Sequence, residues 1–177
     1  GRMIAVVGMP GSGKSEFVNI ALSFGYRFIS MGDIVREETV KRGYSLEESG
    51  KVAQMLRDKE GLDIIAILTL DRISETQDGK FLIEGIRGIK EIERFRNEID
   101  FFLVGIHTSP RIRFERLKNR GRADDPKTFE DFYKRDLREL SWGLGEAFAL
   151  SDVIIDNNGT FEDFRSNIDK VAKKYEL

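Results

Sequence analysis

The sequence predicts an α/β fold with a mainly parallel central sheet, and three observations support this prediction. Strand-like runs alternate with helix-like patterns along the whole chain. Five of these runs are apolar and short enough to be buried strands. The first run leads directly into a glycine-rich loop that opens an amphipathic helix. We place the strands at residues 3–7, 26–29, 81–84, 101–106 and 153–156.

Helices are predicted in the intervals, and several begin with a recognisable start signal. The signals combine an N-cap residue with an acidic residue three positions later, or with proline at the first helical position. In chain order they are Ser45 with Glu48, Ser109 with Pro110, Asp125 with Pro126, and Thr160 with Asp163. Two helices also carry an apolar stripe that we expect to face the core. The stripes are Phe129, Phe132, Tyr133, Leu137 and Leu140 in one helix, and Phe161, Phe164, Ile168 and Val171 in the last helix.

Size and composition favour a single domain spanning residues 1–177. The chain has no cysteine, which excludes disulfides and thiolate metal sites. Its formal net charge of -2 gives no reason to expect a nucleic-acid partner. No stretch approaches the roughly 18 apolar residues of a membrane span, and no secretory leader opens the chain. We therefore expect a cytoplasmic protein without a membrane partner, and the sequence does not indicate its oligomeric state.

A phosphate-binding loop is the most specific motif in the chain. Residues 8–15 read GMPGSGKS and match the template G-x-x-x-x-G-K-[ST] at every fixed position. Glycines let backbone N–H groups curl around a phosphate, and the dipole of the following helix adds to the attraction. Lys14 supplies a charge for the β and γ phosphates, and Ser15 offers its hydroxyl to Mg²⁺. The residues that this motif assigns to ATP are Gly8, Met9, Pro10, Gly11, Ser12, Gly13, Lys14 and Ser15.

Polar segments follow the predicted strands at the sheet edge where parallel sheets bind ligands. Residues 30–36 follow the second strand, and residues 84–88 follow the third. An arginine-dense segment, residues 111–122, comes after the fourth. Phosphoryl transfer needs charge neutralisation and alignment more than covalent chemistry, and guanidinium groups bind phosphate oxygens in pairs. The pattern therefore favours a site for phosphoryl transfer.

The order of these motifs resembles that of adenylate-kinase-like nucleoside monophosphate kinases over nearly the whole chain. Residues 31–36, MGDIVR, are similar to the family's T-G-D-x-L-R segment, and residues 84–87, EGIR, to a shortened D-G-F-P-R. Residues 116–125 resemble the R-x-x-x-R and G-R-x-D-D segments that frame the lid. The resemblance implies a three-layer P-loop NTPase fold with a five-stranded parallel sheet. It also implies a helical acceptor-binding insert at about 31–77 and a very short lid at about 120–126.

The resemblance assigns a function and roles to individual residues. The implied reaction transfers the γ-phosphoryl group of ATP, with Mg²⁺, to a nucleoside monophosphate such as AMP. The residues implied for the acceptor are Asp33, Arg36, Gly85 and Arg87, and the two arginines hold its phosphate. The groups implied to act on the transferring phosphoryl group are Lys14, Arg120, Arg122 and Arg135, with Arg138 as the alternative to Arg135. Those implied to border the donor base are Arg116, Asn157 and Gly159, and those implied for the metal are Ser15 and, through water, Glu84.

The chain departs from the family pattern in ways that leave alternatives open. Only Gly121 separates Arg120 from Arg122, so the lid is very short. The glutamine that reads the acceptor adenine in adenylate kinases is missing after Arg87. Residues 151–160 also resemble the last strand and loop of dephospho-coenzyme A kinases. A kinase of that kind, a nucleotide-binding regulator or slow ATPase, and an RNA-associated factor are the alternatives.

Several other residues have a structural interpretation. We interpret Arg111 and Arg113 as part of a solvated basic helix face. Trp142 is interpreted as a packing residue. Asp124 and Asp125 are expected to cap the next helix or to pair with nearby arginines.

Overall fold

A parallel sheet forms the centre of the molecule. The computed structural model describes residues 2–76 and 79–177. The strands are β1 Met3–Gly8, β2 Tyr26–Ser30, β3 Lys80–Glu84, β4 Phe101–His107 and β5 Val153–Asp156. They lie in the order β2-β3-β1-β4-β5, and every neighbouring pair is parallel. All five predicted strands are therefore confirmed, each within one residue at both ends, but the edge strands β2 and β5 are only partly buried, because each has a neighbour on one side alone.

Helices fill the intervals between the strands, as predicted. In the described part of the chain they are α1 Lys14–Ser23, α2 Met31–Lys41, α3 Ser49–Glu60, α4 Ile64–Ser74, α5 Ile89–Glu98, α6 Pro110–Arg120, α7 Phe129–Ser141, α8 Leu144–Ala149 and α9 Phe161–Tyr175. A short 3-10 helix, Leu46–Glu48, precedes α3. The expected acceptor-binding insert begins with α2, and its last expected residue, 77, lies outside the described residues.

The sheet is covered by helices on both faces, which gives three layers. All six residues of β1 are buried, and they alternate between two apolar cores. Met3, Ala5 and Val7 pack into the core that contains residues of α3, α4, α5 and α8. Ile4 and Val6 pack into the core that contains residues of α1 and α9. Burial of both faces explains why β1 is an uninterrupted apolar run in the sequence.

The register brings the carboxyl ends of three strands to one edge of the sheet. Val6 of β1 is opposite Glu84, and Ser30 of β2 is opposite the same residue on its other side. The chain leaves β1 toward β2 on one side, and later crosses over β1 from β3 to β4. A crevice at such a reversal of strand order is the usual ligand site of a parallel sheet. The loops after β1, β2 and β3 are therefore the ones to inspect.

The predicted apolar stripe of α7 is largely wrong. Phe132 is fully buried, but Phe129, Tyr133, Leu137 and Leu140 are each 44% exposed or more. The helix turns Phe132 and Asp136 inward, because the Asp136 carboxylate pairs with a buried guanidinium. In α9, Phe164 and Ile168 are buried as predicted, Val171 is half-buried, and Phe161 is exposed.

Three of the four predicted helix starts are confirmed, and the one at Asp125 is wrong. Ser45 and Thr160 open capping boxes, and Ser109 is the N-cap before a proline at the start of α6. Thr128 caps α7 instead of Asp125, and its hydroxyl accepts the Asp131 N–H. The Asp125 side chain instead pairs with a nearby arginine, Arg120, which was the alternative expected for it. No helix in the described ranges is long and apolar enough to cross a membrane.

Candidate active site

The glycine-rich loop joins β1 to α1, as the motif predicts. Gly11 and Gly13 have positive φ values of 81° and 103°, which glycine adopts without strain. Gly13 is the N-cap of α1, so the free N–H groups of the first helical turn begin directly at Lys14. A Cβ atom at Gly13 would lie 2.3 Å from Asn157 Nδ2. Both the backbone angle and the close contact therefore require glycine at this position.

Side chains from the residues that follow β4 and β5, and from α6, contact the carbonyl groups of this loop. Asn157 Nδ2 donates to the Ser12 carbonyl over 2.7 Å, and the Thr108 hydroxyl oxygen lies 3.2 Å from the same carbonyl oxygen. Arg116 reaches the Gly11 carbonyl at 3.4 Å. These contacts use the carbonyl oxygens of the loop, so its shape is fixed by its neighbours before any ligand binds.

Arg113 also holds the loop, which corrects its interpretation as a solvated residue. Its side chain is 4% exposed and makes a two-pronged ion pair with Asp136 at 2.9 and 2.7 Å. It donates as well to the carbonyls of Thr108, at 2.9 Å, and Pro10, at 3.2 Å. A buried charge needs a partner, and here the partner comes from α7. The ion pair therefore ties the phosphate-binding loop to α7.

Lys14 and Glu84 face each other where β1 and β3 end. Lys14 Nζ lies 3.7 Å from Glu84 Oε1, and both side chains are about one-third exposed. A lysine at this point can reach a phosphate, and a carboxylate beside it can accept hydrogen bonds from water around a metal ion. The lysine expected for the phosphates and the carboxylate expected for the metal's water shell are thus neighbours.

A cleft of about 640 Å³ lies over the loop and collects most of the residues expected to handle ATP. Its lining includes the loop from Pro10 to Ser15 and Glu84. Further expected residues that line it are Arg87, Arg116, Arg120, Arg122, Arg135, Asn157 and Gly159. We call this space the donor cleft. Gly8 and Met9 are outside its lining. A Cβ atom at Gly8 would lie 2.5 Å from Ser12 Oγ, so the absence of a side chain at Gly8 lets the loop fold closely over it.

One carboxylate, that of Asp125, gathers the expected lid arginines. Arg120 donates to it twice, at 2.8 and 2.5 Å, and the Arg122 backbone N–H donates over 3.0 Å. Arg135 Nη1 lies 3.7 Å from Asp125 Oδ1, and this nitrogen is buried without a hydrogen-bond partner among the described residues. The hydrogen bonds from Arg120 lower the pKa of Asp125 to about 2. The lid arginines are therefore held together around a carboxylate that stays ionised.

Arg116 and Asn157 both face the donor cleft, but they also make contacts that the sequence did not predict. Arg116 Nη2 donates to the Asn157 carbonyl over 2.9 Å, and Thr108 donates to the same oxygen over 2.8 Å. That carbonyl is therefore already occupied. Any contact from this segment to a base would come from other groups or after Arg116 moves.

A second cleft, of about 1110 Å³, lies between α2 and α3 on one side and the β3–α5 loop and the α7–α8 turn on the other. We call it the acceptor cleft. Three of the residues expected for the acceptor, Arg36, Gly85 and Arg87, line it. Asp33 is outside its lining and pairs with Arg36, whose Nε lies 3.2 Å from Asp33 Oδ1. Asp33 thus orients an acceptor-cleft residue without lining the cleft itself.

Arg87 stands where the two clefts meet. Glu84, Gly85 and Arg87 line both of them. The Arg87 guanidinium donates to Glu139 over 2.8 Å and lies 4.9 Å from the centre of the Trp142 ring. The positive φ of Gly85, 105°, turns the chain sharply after β3. This turn brings Arg87 back over the edge of the sheet.

Sequence reasoning missed two residues of the acceptor cleft. Trp142 was interpreted as packing, but it is 46% exposed and lines the cleft. Glu91 is buried and lines the cleft too; its Oε1 accepts the Arg87 backbone N–H over 2.7 Å. Burial raises the pKa of Glu91, and its Oε2 has no hydrogen-bond partner among the described residues. Glu91 lies three residues after Gly88, the N-cap of α5, and an acidic residue at that spacing is a sequence signal for the start of a helix. No sequence pattern indicates the position of Trp142.

Known proteins resemble this chain in sequence over its whole length. A family model described as an AAA domain matches residues 7–132. The UPF0200 protein of Methanosarcina barkeri is 42% identical over 178 residues, covering 98% of this chain and 96% of the relative. The chain belongs to the UPF0200 family. Its adenylate-kinase-like character within the P-loop class stays a prediction.

Solved structures resemble this UPF0200 protein in fold. Shikimate kinase from Bacteroides thetaiotaomicron matches with a TM-score of 0.64 at 15% identity, over 99% of both chains. Dephospho-CoA kinase from Campylobacter jejuni matches with a TM-score of 0.61 at 17% identity, over 98% of this chain and 96% of that chain. These matches, together with the parallel sheet, confirm the predicted P-loop kinase fold. At such low identity they concern the fold alone.

Proposed function

We propose that this UPF0200 protein transfers the γ-phosphoryl group of ATP to a nucleoside monophosphate. The observation that carries the proposal is the meeting of the donor and acceptor clefts at Glu84, Gly85 and Arg87. A cleft over a phosphate-binding loop accounts for ATP binding alone. A second, larger cleft that opens onto the same three residues supports direct transfer to a second bound substrate.

The donor cleft supports ATP as the phosphoryl donor. Its floor is the loop and the first turn of α1, whose free N–H groups favour an anion. Lys14, Arg120, Arg122 and Arg135 line it, and Arg116 stands near the segment that follows β5. Arg135 Nη1 is buried without an acceptor in the described chain, so a phosphate oxygen would satisfy it. We assign Lys14 and these three lid arginines to the transferring group.

The acceptor cleft supports an acceptor that carries a phosphate. Arg36 and Arg87 are the expected phosphate ligands, and each is paired with a carboxylate, Asp33 and Glu139 respectively. The Arg36 side chain is 50% exposed and the Arg87 side chain 41% exposed, and each guanidinium has more N–H groups than its carboxylate partner uses. We assign both arginines to the acceptor phosphate.

The residues also fit a Mg²⁺ ion that is held mainly by phosphates and water. Ser15 and Glu84 both line the donor cleft, and Glu84 Oε1 lies 3.7 Å from Lys14 Nζ. No group of three or more metal-binding side chains occurs in residues 2–76 and 79–177, and Mg²⁺ in kinase sites commonly needs only one or two protein ligands. Ser15 would bind the ion directly and Glu84 through its water shell. The bound ion would neutralise part of the charge on the phosphates.

The proposed step needs alignment rather than a covalent intermediate on the protein. An oxygen of the acceptor phosphate forms the new bond to the γ phosphorus, and the bond from that phosphorus to the bridging oxygen of ATP breaks. The products are ADP and a nucleoside diphosphate. Lys14 and the lid arginines would stabilise the charge on the transferring group, while Arg36 and Arg87 fix the attacking oxygen. Closure of the lid would exclude water as a competing acceptor.

A panel of acceptors tests this function. ADP formation is measured with ATP and Mg²⁺ in the presence of AMP, CMP, UMP, GMP, dephospho-coenzyme A, shikimate or no acceptor. We expect at least one nucleoside monophosphate to raise the rate about 100-fold or more above the rate without acceptor. Stimulation by dephospho-coenzyme A or shikimate alone would replace the proposed acceptor class. ADP formation that no acceptor changes would remove the transferase proposal.

The second candidate is a nucleotide-binding regulator or slow ATPase. The short lid favours it, because one residue, Gly121, connects Arg120 to Arg122 and leaves little chain to cover the phosphates. In the panel this candidate predicts slow ADP formation that is independent of acceptor. It also predicts that ATP binding persists when Arg36 is removed.

A further inference from the structure

We propose that Trp142 is the surface on which a planar aromatic ring of the acceptor stacks. The acceptor is then a phosphorylated compound whose ring and phosphate are both recognised, as in a nucleotide. This inference rests on the proposed function and narrows its substrate class. It assigns to Trp142 a specificity-determining role in the acceptor cleft.

The exposure of Trp142 is the first observation. It is the only tryptophan in the chain, and 46% of its surface is exposed. Its ring lines the acceptor cleft beside Leu140, which is 44% exposed. Leu62, on the opposite side of the cleft, is 60% exposed. Apolar side chains of this size gain free energy when a ligand covers them, so the cleft suits a flat apolar surface.

The position of Trp142 relative to Arg87 is the second observation. The Arg87 guanidinium lies 4.9 Å from the ring centre, and Arg138 lies 5.8 Å from it. Gly143 fixes this arrangement, because a Cβ atom there would lie 2.4 Å from the Arg87 carbonyl oxygen. The α7–α8 turn therefore packs directly against the loop after β3. A phosphate on Arg87 and a ring on Trp142 would be neighbours, as the two ends of a nucleoside monophosphate are.

The composition of the cleft separates this acceptor class from small non-aromatic acceptors. The cleft of about 1110 Å³ has polar side chains such as Gln54 and Lys90 in its lining, but it also has an apolar part that includes Ile89, Leu62 and Leu140. A small carbocyclic acid would leave most of this apolar surface exposed to water. A base with its sugar would cover it, and an indole ring stacks well on nitrogen heterocycles, so a bound base would take the place of one of the guanidinium groups over the Trp142 ring.

Binding measurements test the proposal without relying on turnover. Because Trp142 is the only tryptophan, quenching of the intrinsic fluorescence reports directly on this side chain. AMP, GMP, CMP, UMP and ribose 5-phosphate, which has no base, are titrated into the parent protein. We expect at least one of the four nucleotides to quench the fluorescence and ribose 5-phosphate to leave it nearly unchanged. Failure of all four to bind would overturn the proposal, as would equal quenching by ribose 5-phosphate.

Variants then separate stacking from support of Arg87. Calorimetric Kd values are measured for Trp142→Ala, Trp142→Phe and Leu137→Ala; Leu137 is exposed on α7, which ends just before Trp142, and is outside the cleft lining. We expect Trp142→Ala to weaken binding of the nucleotide at least about 10-fold and Trp142→Phe about 2-fold. Leu137→Ala should bind like the parent. The Kd for ribose 5-phosphate should be equal in all four proteins.

The possible failures are distinguishable. If Trp142→Ala weakens binding of the nucleotide and of ribose 5-phosphate equally, Trp142 only positions Arg87. If the variant binds the nucleotide as the parent does, no ring stacks on Trp142. Either result overturns the inference. If nucleotides bind and quench but receive no phosphoryl group, the proposed function fails while the stacking role stands. If transfer occurs and Trp142→Ala has an unchanged KM for the acceptor, the function stands and this inference fails.

Discussion

The donor cleft and the acceptor cleft differ in what fixes their shape. In the donor cleft, the loop carbonyls are held by buried or half-buried side chains, namely Asn157, Thr108 and Arg113. In the acceptor cleft, the side chains of Arg36 and Arg87 are roughly half exposed, and each is paired with a carboxylate outside the cleft lining, Asp33 and Glu139 respectively. The comparison teaches that the backbone of the donor loop is held in place by its neighbours. The proposed acceptor binding would instead depend on exposed arginine side chains, which can rearrange.

Breaking the support of the donor loop should have the largest effect. Arg113→Met leaves Asp136 as an unpaired buried carboxylate, and we expect the free energy of unfolding to fall by about 3 kcal/mol. Urea denaturation measures this, and ATP affinity should fall with it. Arg111→Met, on the exposed face of the same helix, is the control and should stay within about 0.5 kcal/mol. Similar stabilities for the two variants would show that the ion pair does not support the loop.

Removing the charge of the donor loop should come next. Lys14→Ala should reduce phosphoryl transfer at least about 100-fold, because the variant loses a cation at the transferring group. The fold should be retained, since Lys14 is about one-third exposed and its ion pair with Glu84 is long. Initial rates and circular dichroism check both parts. Lys170→Ala, an exposed residue of α9, serves as the control. Wild-type turnover in Lys14→Ala would exclude this lysine from the reaction.

Disturbing the acceptor cleft should give a smaller and more selective effect. Arg36→Ala is expected to raise the KM for the acceptor about 10-fold and to leave the KM for ATP within about 2-fold. The reason is that Arg36 lines the acceptor cleft and is outside the donor cleft. Steady-state kinetics with each substrate varied in turn measures the two values. Arg42→Ala at the end of α2 lines neither cleft and should change neither value. Equal damage to both substrates would contradict the division into two clefts.

The smallest expected effect concerns the pH dependence of the lid. The pKa of Asp125 is lowered from 3.8 to about 2, so its ionised form is favoured in the folded state. Its contribution to stability is present above its unfolded pKa and is lost as the pH falls toward about 2. Asp125→Asn should therefore lose about 1 kcal/mol at neutral pH, and this difference should shrink as the pH falls below about 4. Urea denaturation across this range checks the trend. A constant difference would show that the carboxylate charge is not its cause.

The sequence predicted the donor side of the molecule well because its signals are local. The buried strand before residue 8, the glycine spacing and the helix after Lys14 are contiguous, and each has one physical interpretation. The strand bounds were also predictable, since each strand contains a short apolar stretch. Because the strands are parallel, the residues that follow them were expected to lie together at one edge of the sheet.

Other features depend on partners that are distant in sequence. In the sequence, nothing distinguishes Arg113 from its neighbour Arg111. The structure distinguishes them, because Arg113 pairs with Asp136, which is 23 residues away. The same pair decides which face of α7 is buried, so the apolar stripe of that helix was misjudged. Trp142 gives no periodic signal, and its exposure follows from the packing of Gly143 against Arg87. Contacts of this kind are visible only in the folded chain.

The most direct test of the central claim is to follow the γ-phosphoryl group itself. ATP labelled in that group is incubated with the UPF0200 protein, Mg²⁺ and each nucleoside monophosphate, and the labelled products are separated by chromatography. If the two clefts hold both substrates for direct transfer, the label appears in a nucleoside diphosphate. Label that appears only in inorganic phosphate, with every acceptor, would contradict the account.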